Sequence, residues 1–191
     1  MSLNRYVGDY RLHEEFGKGG RIRYTYEYIG KKYYFTHPAA ETARARRSLI
    51  VFCVLAFAVY TAAMVPASDV MHCLYVSLPF AFCAVPLFVI LTTALSVPKD
   101  TSAFMERRVA EKIANRIPQY GIFLVVLSAG AAVGAAAALI SMAAKGAGTK
   151  ELFKTGNVVF GVMALCLTAV SLRIFALRKV FPVCAGEDGE G

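Results

Sequence analysis

The groups in this 191-residue chain that could do acid–base, redox or metal chemistry are three histidines, five cysteines and thirteen carboxylates. Their spacing assembles none of the usual constellations. There is no H-E-x-x-H for a zinc ion, no G-x-S-x-G for an activated serine and no acidic cluster for a divalent cation. Gly17-Lys18-Gly19-Gly20 lacks the spacing of a phosphate-binding loop and reads as a turn. Cys53, Cys73, Cys83, Cys166 and Cys184 contain no C-x-x-C pair. That disfavours a disulfide framework, a structural zinc and a quinone-linked disulfide oxidoreductase. Most of them fall in apolar runs, where cysteine behaves as a small hydrophobe. The expectation is a non-enzymatic chain with no catalytic, cofactor-binding or metal-binding residue.

The elements that would position any site are membrane-spanning. Hydrophobic residues make up 57% of the chain and charged ones only 18%, against about 45–50% apolar in soluble domains. A helix of about 20 apolar residues crosses a hydrocarbon core of about 30 Å. Four runs qualify: about Ser48 to Val65, Met71 to Val97, Tyr120 to Ala144 and Asn157 to Leu177. The first follows forty-seven polar, basic residues and is expected to stay as a helix rather than be removed as a signal peptide. The fold expected is an all-α membrane protein, a four-helix transmembrane bundle at 48–178, with a cytoplasmic N-terminal segment at 1–47 and a cytoplasmic tail at 179–191.

The net charge of +8 is placed beside the apolar runs, where anionic lipid head groups attract it, so topology rather than nucleic acid accounts for it. With both termini inside, eighteen Lys and Arg lie in the cytoplasm and three (Lys145, Lys150 and Lys154) outside. The positive-inside rule selects that orientation, in the plasma membrane. The Glu187-to-Gly191 end reads as an acidic, disordered tail.

Two cytoplasmic elements are predicted. From Arg21 to Ile29 polar and apolar residues alternate, and Gly30-Lys31 supplies a type II′ turn signal. A hairpin with that turn sets Tyr28 opposite Tyr33 and Tyr26 opposite Phe35, and gathers Tyr24, Tyr26, Tyr28 and Phe35 on one face. Tyr10 to Phe16 is a candidate third strand. Met105, Val109, Ile113 and Ile117 recur every four residues between Pro98 and Pro118. They predict an amphipathic interfacial helix at 101–117, which could carry the tyrosine face as a small cap.

Within the spans, Gly130 and Gly134 form a G-x-x-x-G that continues to Ala138 in a run of small residues. Such a face lets helix backbones approach closely, either inside the bundle or against a partner. Pro79 and Pro86 lie on one face of the second span and mark a kink, either static or a hinge. His72, at the outer mouth, is the candidate pH-sensitive group, and Arg173 can snorkel to the inner interface. No Asp or Glu falls inside a span, which disfavours a proton-coupled antiporter.

The stretch Tyr28 to Tyr34 resembles a short tyrosine- and glycine-bearing segment that precedes several helices in small bacterial membrane proteins of no characterised activity. The resemblance covers little of the chain and implies no chemistry. The function expected is an accessory or scaffold subunit that docks through the small-residue face, in a homo-oligomer or a larger membrane complex. The alternative is a small-molecule transporter or channel component formed by oligomerisation around the kinked second span.

Overall fold

The computed structural model describes residues 7–16 and 22–185. Four helical segments are long and apolar enough to cross a membrane, as the four uncharged runs require. α1 (Ala39–Met64) is the first. The second is divided into α2 (Leu74–Phe82) and α3 (Ala84–Ser96). α4 (Arg107–Ala144) is the third; α5 (Thr149–Leu152) is a single turn, and α6 (Thr155–Leu177) is the fourth span. α4 packs on α6 and on both halves of the second span, while α1 packs on α6 and α3, which closes a ring of four.

The interior of the ring is filled by side chains. Leu49 and Cys53 of α1, Phe80 and Leu87 of the second span, Leu124 of α4, and Phe160 and Leu167 of α6 are fully buried. Tyr60 stacks on Phe80 at 4.8 Å between ring centroids, and Phe80 meets Phe160 edge-on at 5.1 Å. Such pairs add packing energy where lipid offers no hydrophobic drive. Val54, Phe82, Val126 and Leu165 point outward, as a lipid-facing surface demands.

Three helical expectations are corrected. α1 starts at Ala39, directly after Pro38, rather than at Ser48. The separate interfacial helix expected at 101–117 is instead the first three turns of α4, which runs on through Pro118. That proline removes only the bond to the Ala114 carbonyl, a loss that membrane helices tolerate when neighbours hold the chain. Gly121 supplies such a hold: a Cβ there would lie 3.2 Å from the Phe175 ring of α6. Met105, Ile113 and Ile117 are buried as the periodicity implies, but inside the protein. The second span begins only at Leu74, after a 3₁₀ turn at Asp69–His72, and breaks at Cys83. The break follows from Pro86, which has no N–H for the Phe82 carbonyl.

The hairpin is also corrected. β1 (Tyr10–Phe16) pairs antiparallel with β2 (Ile22–Tyr28), placing Tyr10 opposite Tyr28 and Leu12 opposite Tyr26. β3 (Tyr33–Phe35) pairs instead with β4 (Val183–Ala185), so Phe35 stands opposite Val183 in a second sheet. Gly30-Lys31 is therefore not the hairpin turn. A type II′ turn needs positive φ at its glycine, and among the described residues Gly146 alone has it. Seven ladder pairs with β1 also outweigh the three that β3 could offer. The Gly17–Gly20 turn and the acidic end from Glu187 lie outside the described residues. Val183–Ala185, expected as part of the free tail, is strand because it completes the β3 edge.

The β3–β4 pairing joins residues 33–35 to residues 183–185 at one end of the bundle, called here the terminal end. The opposite, loop end carries residues 65–73 and 145–154. Gly146, at φ 86°, ends α4: its N–H bonds the Ala143 carbonyl and the N–H of Ala147 bonds that of Met142, the Schellman pattern.

Candidate functional site

The structure separates the residues that the sequence singles out. Gly134 lies in the α2–α4 contact, where a Cβ would come within 3.1 Å of the Tyr75 carbonyl oxygen and 3.3 Å of Val76 Cγ2. Pro79 has no N–H for that Tyr75 carbonyl, so one proline frees the oxygen and one glycine makes room for it. Ala138 is buried in the bundle, whereas Gly130 is exposed, with Pro79 Cβ 3.8 Å from the position of an added Cβ. The Gly134–Ala138 part of the small-residue face is thus internal.

Pro79 and Pro86 flank the break at Cys83, and side chains brace it. Tyr60 donates its hydroxyl to the Ala81 carbonyl at 3.4 Å, and Cys83 Sγ donates to the Pro79 carbonyl at 3.3 Å. His72 is exposed in the 3₁₀ turn at the loop end, and Arg173 is exposed near the end of α6. Phe35 is buried and meets Phe181 edge-on at 6.3 Å, apart from the three tyrosines it was expected to join.

At the terminal end the β1–β2 hairpin has one polar face and one aromatic face. His13 Nε2 lies 2.8 Å from Glu27 Oε2 across the polar face. The other carries Tyr10 and Leu12 with Tyr24, Tyr26 and Tyr28, by the alternation of strand side chains. Its inner edge is anchored on α4. Tyr10 donates a short hydrogen bond to the Glu106 carboxylate. The Tyr28 hydroxyl accepts the Arg107 N–H at 2.9 Å and donates to the Lys31 carbonyl at 2.8 Å. One of the unpaired N–H groups that begin every helix is thereby satisfied from another element. Gly30 permits this arrangement, since a Cβ there would sit 2.8 Å from the Tyr28 ring and 2.9 Å from Asp9 Cβ. The bond to Glu106, then partial burial, push the Tyr10 phenol up to about 12. Burial raises that of Tyr28 as well. Both phenols stay neutral donors at physiological pH and serve as anchors rather than acids.

The outer edge of this face is open. Leu12, Tyr24 and Tyr26 are 49%, 56% and 72% exposed, and Val7, Tyr10, Leu12 and Tyr26 line an open groove of about 500 Å³. The sequence pointed to the tyrosines; it did not point to Leu12, Val7 or Glu106, because their roles depend on which strand lies beside β2.

At the loop end Asn157 ties three segments together. Its Oδ1 accepts from Ser68 Oγ and from the Asp69 N–H, each at 3.0 Å, and its Nδ2 donates to the Glu151 carbonyl at 3.2 Å. Lys154 Nζ reaches both Asp69 carboxylate oxygens at 3.1 Å. Beside them a Cβ on Gly156 would clash with the Ala67 carbonyl oxygen and lie 2.7 Å from its carbon. Only the Gly-Asn pair opening the fourth apolar run could have signalled this knot. Its buried polar atoms are engaged with one another, so its chemistry is structural.

Comparison with protein families, with characterised proteins and with solved structures finds no match for this chain.

Proposed function

We propose that the chain is a non-enzymatic accessory or scaffold subunit of a membrane complex. It lies in the plasma membrane with its terminal end in the cytoplasm, where anionic lipid meets it, and it docks a partner protein on the outer edge of the hairpin. The observation that carries this reading is the exposed aromatic face of Leu12, Tyr24 and Tyr26 on a hairpin already anchored to α4. Large apolar side chains left open in a group mark interaction surfaces. The filled interior supports it further, because Phe80, Phe160 and Leu124 occupy the space that a solute path through one chain would need.

The test is mild-detergent purification of wild type and of Leu12→Ser/Tyr26→Ser, with quantitative identification of co-purifying proteins. A stoichiometric partner lost from the variant, whose thermal unfolding is unchanged, supports the reading. An equal yield of every partner from both proteins overturns it. The orientation is tested separately, in a background lacking the native cysteines. Lys150→Cys should react with an impermeant maleimide in intact cells, and Arg44→Cys should not.

The transporter reading draws on one observation, the braced break between α2 and α3, with Leu78, Phe82 and Val85 exposed around it. It requires an oligomer that encloses this surface, and proteoliposomes of the pure protein would then conduct or carry a solute.

A further inference from the structure

The geometry points to a binding site for the phosphate headgroup of an anionic phospholipid, formed by Arg108, Lys112 and Arg116 of α4 with Arg46 of α1 beside the end of α3. The inference deepens the reading that anionic lipid meets the terminal end, and names where.

The three α4 cations recur every four residues and so share one face, a turn apart. Lys112 is half-buried and donates to Ser96 Oγ at 2.7 Å, and Ser96 Oγ donates on to the Thr92 carbonyl at 2.7 Å. Arg46 Nε donates to the Val97 carbonyl at 3.0 Å. Two cationic groups from different helices therefore meet at consecutive residues of the α3 end. The charges that act on Lys112 are those of Arg116 and Arg108, both positive. Arg107 pairs with Glu111 on the adjoining face of α4.

The negative end of the α3 dipole accounts for Lys112 and Arg46, as basic groups commonly bond the last carbonyls of a helix. It does not account for Arg108 and Arg116, which hold two further positive charges against a partly desolvated amine. Such a cluster is stabilised by an anion with several acceptor oxygens, for which guanidinium forks are the matching donors.

Two features make that anion a lipid. The site lies where the apolar second span gives way to Pro98-Lys99-Asp100, which is headgroup level. The same face of α4 then continues into Tyr120 and the exposed Phe123, whose rings lie 6.3 Å apart. Cations, then tyrosine, then an apolar wall follow the order of a lipid from phosphate to acyl chain.

The experiment uses the full chain in neutral detergent, so it does not depend on orientation. Binding and thermal unfolding are measured with phosphatidylglycerol, phosphatidylcholine and inorganic phosphate. Phosphatidylglycerol should bind at least tenfold more tightly than phosphatidylcholine and raise the unfolding temperature, while inorganic phosphate at equal concentration should not. Arg108→Gln/Arg116→Gln should lose most of that preference without changing elution or unfolding in detergent alone. Arg44→Gln/Arg47→Gln, which removes two exposed charges of α1, should keep it. Equal binding of the two lipids overturns the site without any variant. Equal stabilisation by inorganic phosphate overturns the lipid as its ligand. An equal loss in the α1 variant reduces it to a general cationic belt. Failure of the cytoplasmic orientation would appear instead in the maleimide labelling.

Discussion

At the loop end of the bundle Asn157 is 1% exposed and directs its amide at three partners, whereas at the terminal end Tyr26 is 72% exposed and lines an open groove. Both ends use polar groups to join segments far apart in sequence. At the loop end those groups are buried and engaged with one another, and a backbone approach that only Gly156 allows seals them. At the terminal end Tyr10 and Tyr28 do the joining, while Leu12, Tyr24 and Tyr26 stay exposed. The loop end is therefore a structural clasp, and the terminal end is where this molecule has surface to offer.

The contrast can be broken by mutation, and the largest effect is expected at the clasp. Gly156→Ala forces a Cβ into the Ala67 carbonyl, a backbone atom that cannot swing aside. Overpacking of this kind costs about 1–3 kcal/mol or more. The variant should show a much lower unfolding temperature in detergent, or no monodisperse protein at all.

Asn157→Leu follows. It leaves the Ser68 hydroxyl and the Asp69 N–H without their acceptor, a loss of about 1–3 kcal/mol for buried groups. Thermal unfolding of this variant beside Tyr28→Phe sharpens the comparison. Tyr28→Phe gives up one helix-capping contact and one carbonyl bond near the surface, worth about 1 kcal/mol. Equal losses in the two variants would remove the distinction between clasp and platform.

The two glycines of the third span should differ as well. Gly134→Ala meets the Tyr75 carbonyl at 3.1 Å and should destabilise, whereas Gly130→Ala meets only Pro79 at 3.8 Å and should be neutral or slightly stabilising, alanine being the better helix former by about 1 kcal/mol. Unfolding that reverses this order would put the small-residue face back on the outside of the bundle.

The smallest effect concerns pH. The Tyr10 phenol is raised to about 12, so the folded state favours its neutral form. The stabilisation is present below the ordinary phenol range near 10 and is lost as pH rises through about 12. An ultraviolet titration should show late-ionising tyrosines, one of which Tyr10→Phe removes. A titration unchanged by that substitution would mean that the hairpin is not anchored through Glu106.

Four spans, the apolar stripe at Met105, Ile113 and Ile117, and the alternation of β2 were legible because each depends on the order of residues within one segment. Hydropathy and side-chain period are local properties, and a local reading captures them. Which strand lies beside β2 was not local. Alternation permits Tyr28 to face either Tyr33 or Tyr10, and the choice went to the longer ladder, with Glu106 and Arg107 ready to hold the two tyrosines. Pro118 read as a boundary because the cost of a proline is local, while the packing that offsets it comes from α6 through Gly121. The sequence by itself determined a membrane bundle, its small-residue face and the positions of its charges. The tertiary structure alone decided that Gly134 faces inward, that Asn157 closes the loop end, and that Arg46 and Lys112 meet at the end of α3. Gly134 with Tyr75, Asn157 with Ser68 and Asp69, Arg46 with Val97 and Lys112 with Ser96 are contacts between residues more than fifteen positions apart, and no single segment encodes its partner.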